Sequence, residues 1–205
     1  MSPRGKERNE HLRDAALAKI NGAALKIFAE YGYHGATMRR IARATGLSYG
    51  LVYHYFPSKA KIFRHILESA LEIPLVALNT ALGAPGTAWE KIDNLSAYMA
   101  RNVFSGESSR YFLFVLHAMT QGKGIPGLAG LIGKYITAYY EKIVPFIIQA
   151  QKSGEAVEGH PETLAAAYFS LIQGLALFSF QGKGLKKKIT PDILSNVLRN
   201  RWRRE

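Results

Sequence analysis

The chain is predicted to be all-α, a three-helix helix-turn-helix domain followed by a larger helical domain. Three observations predict this. Apolar residues recur at spacings of three and four along most of the sequence, the period of a helix with one buried face. Clusters of Gly and Pro cut that pattern into helix-length pieces. No alternating run is long enough to build a sheet, and no internal repeat recurs at a fixed period. With 205 residues and 48% hydrophobic composition, the chain is long and apolar enough for a core.

The first helix carries Leu17, Ile20, Ala24, Ile27, Phe28 and Tyr31 as one stripe, with Gly32 just past its end where a left-handed residue is wanted. Gly22 lies inside it at a cost of roughly 1 kcal/mol against Ala, as a residue that lets a neighbouring helix approach. Thr37 caps a second helix over residues 37–45, with Met38, Ile41 and Ala42 apolar, and Gly46 breaks it. Ser48 caps a short third helix to about Tyr55. Pro57-Ser58 stops it and starts a fourth, whose stripe is Ile62, Phe63, Ile66, Leu67, Ala70 and Leu71. Further helices are expected near 88–104, 108–121, 129–153, 162–181 and 190–203, joined by connections at 122–127, 154–161 and 182–190. The domain boundary is drawn at 57/58, giving domains 1–57 and 58–205.

Two short helices around a glycine turn have helix-turn-helix form. Ile41, Ala42, Leu47, Val52 and Phe56 are the inner residues. Tyr49, Gly50, Tyr53 and His54 are left outside, on a helix of the kind that enters the major groove of duplex DNA.

Charge is distributed unevenly. Residues 1–65 hold 12 Lys/Arg against 4 Asp/Glu, residues 66–182 hold 7 against 9, and residues 183–205 hold 8 against 2. A basic amino-terminal segment suits a polyanion, and charge alone equally suits a merely soluble basic protein. Arg39 and Arg40 fall in the first turn after Thr37, and Lys59 and Lys61 in the first turn after Ser58. The positive end of a helix dipole disfavours such cations by about 0.3–1 kcal/mol each. A phosphate bound at those helix starts would reverse the sign; solvated side chains are the alternative.

The stretch YGYHGATMRRIARATGLSYGLVYHYFPSKAKIF resembles the DNA-binding domain of the TetR/AcrR family of bacterial regulators. The features that carry the resemblance are Thr37, Ile41-Ala42, Gly46-Leu47-Ser48, Tyr53, Phe56 and Ser58-Lys59. They span about a quarter of the chain. The resemblance implies that Thr37, Tyr53 and Lys59 touch phosphates, and that Ser48, Tyr49, Gly50 and His54 lie near the groove floor. Arg40 and Lys61 stand where acidic residues are common, which makes the face more basic. Leu51 replaces a small or hydroxylated residue and is placed to meet a thymine methyl. The DNA-binding set is therefore Thr37, Arg39, Arg40, Ser48, Tyr49, Gly50, Leu51, Tyr53, His54 and Lys59.

The same resemblance implies a cytoplasmic homodimeric repressor, released from palindromic operator DNA by a small molecule, with the last two long helices forming the dimer interface. Leu164, Tyr168, Leu171, Leu175 and Phe178 on one helix, with Leu194, Val197 and Leu198 on the other, are assigned to that interface. Trp89, Tyr98, Phe112, His117, Met119 and Tyr139 are assigned to a pocket for an apolar or aromatic effector; core packing is the other use of such residues. Lys186–Lys188 and the basic residues 199–204 are expected to be solvated charge.

Other classes are less well served. The six histidines show no metal spacing, no catalytic or phosphate-loop motif occurs, and no cofactor is implied, so an enzyme is not expected. The chain has no cysteine. Residues 1–14 lack an apolar signal region. The longest apolar stretch, Leu164 to Phe180, is interrupted by Ser170, Gln173 and Ser179 and is expected to be a core helix, not a membrane span.

Overall fold

The computed structural model describes residues 3–102, 108–121, 124–181 and 189–200. The regular structure among them is helical: α1 (Pro3–Gly35), α2 (Met38–Thr45), α3 (Tyr49–Tyr55), α4 (Lys59–Gly83), α5 (Ala88–Asn102), α6 (Ser108–Gln121), α7 (Leu128–Lys152), α8 (Pro161–Gln181) and α9 (Pro191–Ser195). The chain forms two compact units. One holds Met1–Ser69 and Phe114–Ala129; the other holds Ala70–Leu113 and Gly130–Glu205. The break falls inside α4, and part of α6 joins the amino-terminal unit.

The first unit is organised around three phenylalanines. Phe28 of α1 and Phe63 of α4 meet edge to face with ring centroids 4.9 Å apart, and Phe63 meets Phe114 of α6 at 4.8 Å. All three are fully buried. Such contacts draw α6 into a unit otherwise made of residues before 70, a partnership that a linear boundary does not record. Ile20, Ala24, Ile41, Val52, Ile62 and Leu67 complete this core.

Gly32 interrupts α1 with φ 65° and ψ −177°, a conformation suited to glycine. The chain turns there, so Tyr31 does not finish the buried stripe. It is 47% exposed, and the Arg40 guanidinium sits 4.3 Å above its ring. Gly22 admits no close neighbour either: a Cβ built on it meets nothing within 4 Å. Gly22→Ala is therefore expected to raise the unfolding free energy by roughly 0.5–1 kcal/mol. A lowered melting temperature would refute this.

In the second unit Trp89, Ile92 and Leu95 of α5 pack with Ile143 and Ile147 of α7 and with Ala165, Tyr168 and Ile172 of α8. Tyr168 is fully buried and its hydroxyl lies 2.9 Å from Ser96 Oγ, which itself donates to the Ile92 carbonyl. Desolvation pushes the Tyr168 phenol up, so it stays neutral. Thr87 and Glu90 form a reciprocal cap at the start of α5, with Thr87 N donating to Glu90 Oε2 at 2.7 Å and Glu90 N to Thr87 Oγ1 at 3.2 Å.

Of the helix expected over 190–203, the described residues 190–200 form the five-residue α9, a turn and a bridge at Arg199. Val157 N donates to Leu198 O at 2.8 Å, and Asn200 N to Glu155 O at 2.9 Å, which makes a single antiparallel bridge between Ala156 and Arg199. The backbone there finds its partners in the α7–α8 turn, so it has no need of a helix. Positions 186–188 and 201–204, including Trp202, lie outside the described residues.

By length and composition α4 is long and apolar enough to cross a membrane. Its apolar residues Ile62, Phe63, Ile66, Leu67, Ala70, Leu71, Ala77 and Leu78 are instead buried in the protein.

Candidate nucleic-acid interface

Local chemistry shapes the bihelical motif. Thr37 is extended (φ −132°, ψ 150°) and its Oγ1 accepts from Arg40 N at 3.2 Å, which caps α2. Gly46 ends α2 in the left-handed region at φ 68°. Thr45 staples the turn: its Oγ1 donates to Ala42 O at 2.7 Å and accepts from Leu47 N at 3.0 Å. Ser48 then caps α3, accepting from Leu51 N at 3.2 Å. Ile41, Ala42, Val52 and Phe56 are buried and Leu47 is half-buried, as the inner positions require.

The opposite face is open. Thr37, Arg39, Arg40, Ser48, Tyr49, Gly50, Leu51, Tyr53 and His54 are all exposed. The Tyr49 and Tyr53 rings lie 4.6 Å apart at 48°, one helical turn from each other. Hydrogen bonding with Tyr49 lifts the Tyr53 phenol above its ordinary value. A Cβ placed at Gly50 would meet nothing within 4 Å. An open cleft of about 430 Å³ runs beside this face, lined by Arg39, Ala42, Arg43, Leu47 and Tyr49.

Arg43 was not among the expected residues. It is exposed one turn beyond Arg39 on α2. A signal for it existed: residues 31–67 contain six Lys/Arg and no Asp/Glu. A carboxylate-free surface over that length is unusual, because mixed signs are the ordinary way to dress a soluble helix.

Two expected phosphate ligands are otherwise engaged. Lys59 Nζ is half-buried and donates to Tyr33 O at 2.7 Å and to Ala36 O at 3.0 Å, with the Tyr33 ring 4.2 Å beneath it. Burial lowers its pKa from the usual lysine value. Arg40 Nη1 donates to Gly35 O at 3.0 Å. The cations that looked misplaced at two helix starts thus face carbonyls at the end of α1, an internal source of negative potential. Arg39 and Lys61 make no such bond among the described residues and remain exposed.

The residues expected around an effector divide between the two units, four in the second and two in the first. Trp89 is buried in the second unit beneath Arg199, whose guanidinium is 5.6 Å from its ring. Tyr98, Phe112 and Tyr139 are half-buried against the same core, and the Tyr139 hydroxyl donates to Leu71 O. His117 and Met119 belong to the first unit, where His117 Nδ1 lies 3.2 Å from Phe28 O and Met119 is exposed. A separate groove of about 250 Å³ in the second unit is lined by Glu72, Leu75, Val76, Asn79, Lys134, Tyr135 and Ala138, none of them among the expected six.

The residues assigned to a dimer interface also divide. Tyr168, Leu194 and Leu198 are fully buried in the protomer's own core and are not available to another chain. Leu164, Leu171, Leu175 and Val197 are half-buried, and Phe178 is 66% exposed.

Comparison with known proteins agrees with this geometry. Residues 20–66 match the family described as bacterial regulatory proteins, tetR family. The chain is 52% identical over 45 residues to the HTH-type transcriptional repressor AcnR of Corynebacterium efficiens, covering 22% of this chain and 24% of that one. The match thus spans about a quarter of that relative's length. It is 28% identical over 165 residues to the HTH-type transcriptional regulator RutR of Escherichia coli, covering 79% and 74% of the two chains. A TetR-like transcriptional regulator from Rhodococcus sp. RHA1 superposes with a TM-score of 0.71 at 18% identity, over 89% of this chain and 92% of that one. PfmR, a TetR family transcriptional regulator from Thermus thermophilus, does so with a TM-score of 0.70 at 22% identity, over 90% and 99%. The cap residues, the glycine turn and the aromatic outer face of α3 all fall within the matched segment, so residues 20–66 are similar to the bacterial regulatory proteins of the tetR family, and the helical fold carries the likeness to solved structures beyond that segment.

Proposed function

We propose that the protein is a DNA-binding transcriptional repressor of the bacterial cytoplasm. It acts as a homodimer on an inverted-repeat operator, and a small apolar or aromatic molecule releases it. The observation that carries this reading is the outer face of the bihelical motif. Tyr49, Gly50, Leu51, Tyr53 and His54 project from a short helix into solvent, beside Arg39 and Arg43, and residues 31–67 contribute no carboxylate. Seven residues of helix rise about 10 Å, enough to lie across a major groove.

In this reading Thr37, Tyr53 and the first amides of α2 meet phosphates. Ser48, Tyr49, Gly50 and His54 face base edges, Leu51 meets a thymine methyl, and Arg39 and Arg43 extend the contact along α2. The exposed Phe178, with Leu171 and Leu175 on the same helix, supports pairing of two copies through α8. The half-buried aromatics Tyr98, Phe112 and Tyr139 support an apolar effector site in the second unit. Displacement of α4 on ligand binding would carry the heads out of register, provided the ligand binds one conformation more tightly than the other.

Selection of bound sequences from a random duplex pool tests the reading. Enriched inverted half-sites spaced by about one helical turn are expected; recovery without any shared sequence would refute operator recognition. On the selected duplex, Tyr53→Ala should weaken binding to all sequences alike. Tyr49→Ala should alter preference at one position of each half-site, worth about 1–3 kcal/mol of discrimination. A uniform loss for Tyr49→Ala would remove its assignment to a base edge.

A further inference from the structure

We propose that Lys59 and Arg40 are positioning residues, forming a two-cation clamp on the turn between α1 and α2 that sets the direction in which α2 meets DNA. The inference rests on the DNA-binding reading above and departs from the direct phosphate contact that the sequence led us to expect for Lys59.

Three helix ends converge at this turn. The chain leaves α1 at Gly32 and reaches the cap of α2 at Thr37, while α4 begins at Lys59. Within the intervening four residues, the carbonyls of Tyr33 and Ala36 accept from Lys59, and the carbonyl of Gly35 accepts from Arg40. Two of the three ammonium protons of Lys59 are therefore spent inside the protein. Each cation is also seated on an aromatic ring, Lys59 on Tyr33 and Arg40 on Tyr31. The Tyr33 ring is itself fixed against Phe63, 5.0 Å away, one helical turn along α4 from Lys59.

These contacts give the clamp a direction. The start of α4 is tied through Lys59 to the residue immediately before Thr37, and the start of α2 reaches back through Arg40 to the same turn. The first turn of α2 cannot reorient while both bonds hold. A movement of Lys59 along the α4 axis is transmitted to the cap that faces the phosphates. The cations cost energy at their own helix starts, and the carbonyl end of α1 offsets that cost. This accounts for basic residues at both positions without an outward role.

Nuclear magnetic resonance and salt titration together test the clamp. In the free protein, Lys59 should show a slowly exchanging ammonium resonance. Lys59→Met, which keeps the stem and removes the donors, should shift the backbone amides of residues 33–39. Arg40→Met should shift an overlapping set, and Lys59→Arg should restore most of the Lys59→Met change. On the selected duplex, Lys59→Met should weaken binding about tenfold without changing the slope of log affinity against log salt. A direct phosphate ligand would instead reduce that slope by about 0.9. Such a fall, or unmoved amides at 33–39, overturns the proposal. If Lys59→Met does not fold, the wild-type protein decides: the Lys59 ammonium resonance should keep its position when duplex is added, and a shift with coupling to phosphorus overturns the clamp. If the wild-type protein binds no duplex, the DNA-binding reading fails, and the amide shifts of the free protein still show whether the turn is clamped.

Discussion

Phe63→Ala is expected to destabilise the first unit by about 3–5 kcal/mol, a large share of the roughly 5–15 kcal/mol that holds a domain folded. Phe63 is fully buried, and its ring meets Phe28, Tyr33 and Phe114, from α1 and α6. Truncation removes its transfer free energy and also opens a cavity between three helices that cannot all close in. Both tryptophans, Trp89 and Trp202, lie outside the residue ranges of the first unit. In urea, the loss of helical circular dichroism should therefore begin ahead of the change in tryptophan fluorescence. A destabilisation below about 1 kcal/mol, or transitions that remain superimposed, would show that the phenylalanine cluster does not hold the unit together.

Gly50→Glu should move stability and DNA affinity in opposite directions. Gly50 is the second residue of α3 and nothing in the protein lies within 4 Å of a Cβ placed there. Loss of a helical glycine and gain of an acid in the first turn should together add roughly 0.5–1.5 kcal/mol of stability. The same carboxylate would lie against the groove, unpaired and among phosphates, and should reduce duplex affinity on the order of 100-fold or more. Thermal unfolding and a binding titration on one preparation measure both. Unchanged affinity in a stabilised variant would take α3 out of the interface.

The bihelical motif was legible because local chemistry determines it. Thr37, Gly46 and Ser48 each satisfy a need created within four residues of themselves, so α2 and α3 begin and end where their sequence indicates. The features that were not legible depend on distant partners. α8 is apolar on nearly every side, so periodicity cannot separate the inward Tyr168 from the outward Phe178; Ser96, on another helix, makes that distinction. The segment after Pro191 has a helical pattern, but its backbone pairs with residues 155–157. Arg40 and Lys59 advertised an electrostatic conflict in the sequence, and only the folded chain brings in the third helix end that resolves it. His117 and Met119 share an aromatic-rich stretch with Phe112, yet the chain passes from one compact unit to the other between Leu113 and Phe114.

The bridge between Ala156 and Arg199 bears on how the molecule is made. Leu194 and Leu198, both fully buried, follow α8 in the chain, and the hydrogen bonds beside them close the α7–α8 turn. During translation the second unit must wait for Leu194 and Leu198 before its interior is complete. The first unit needs nothing beyond Ala129. A nascent chain stalled between Ala129 and Leu198 would carry a finished head on an unfinished body, and truncation before Leu194 should yield protein that is degraded, not merely shortened.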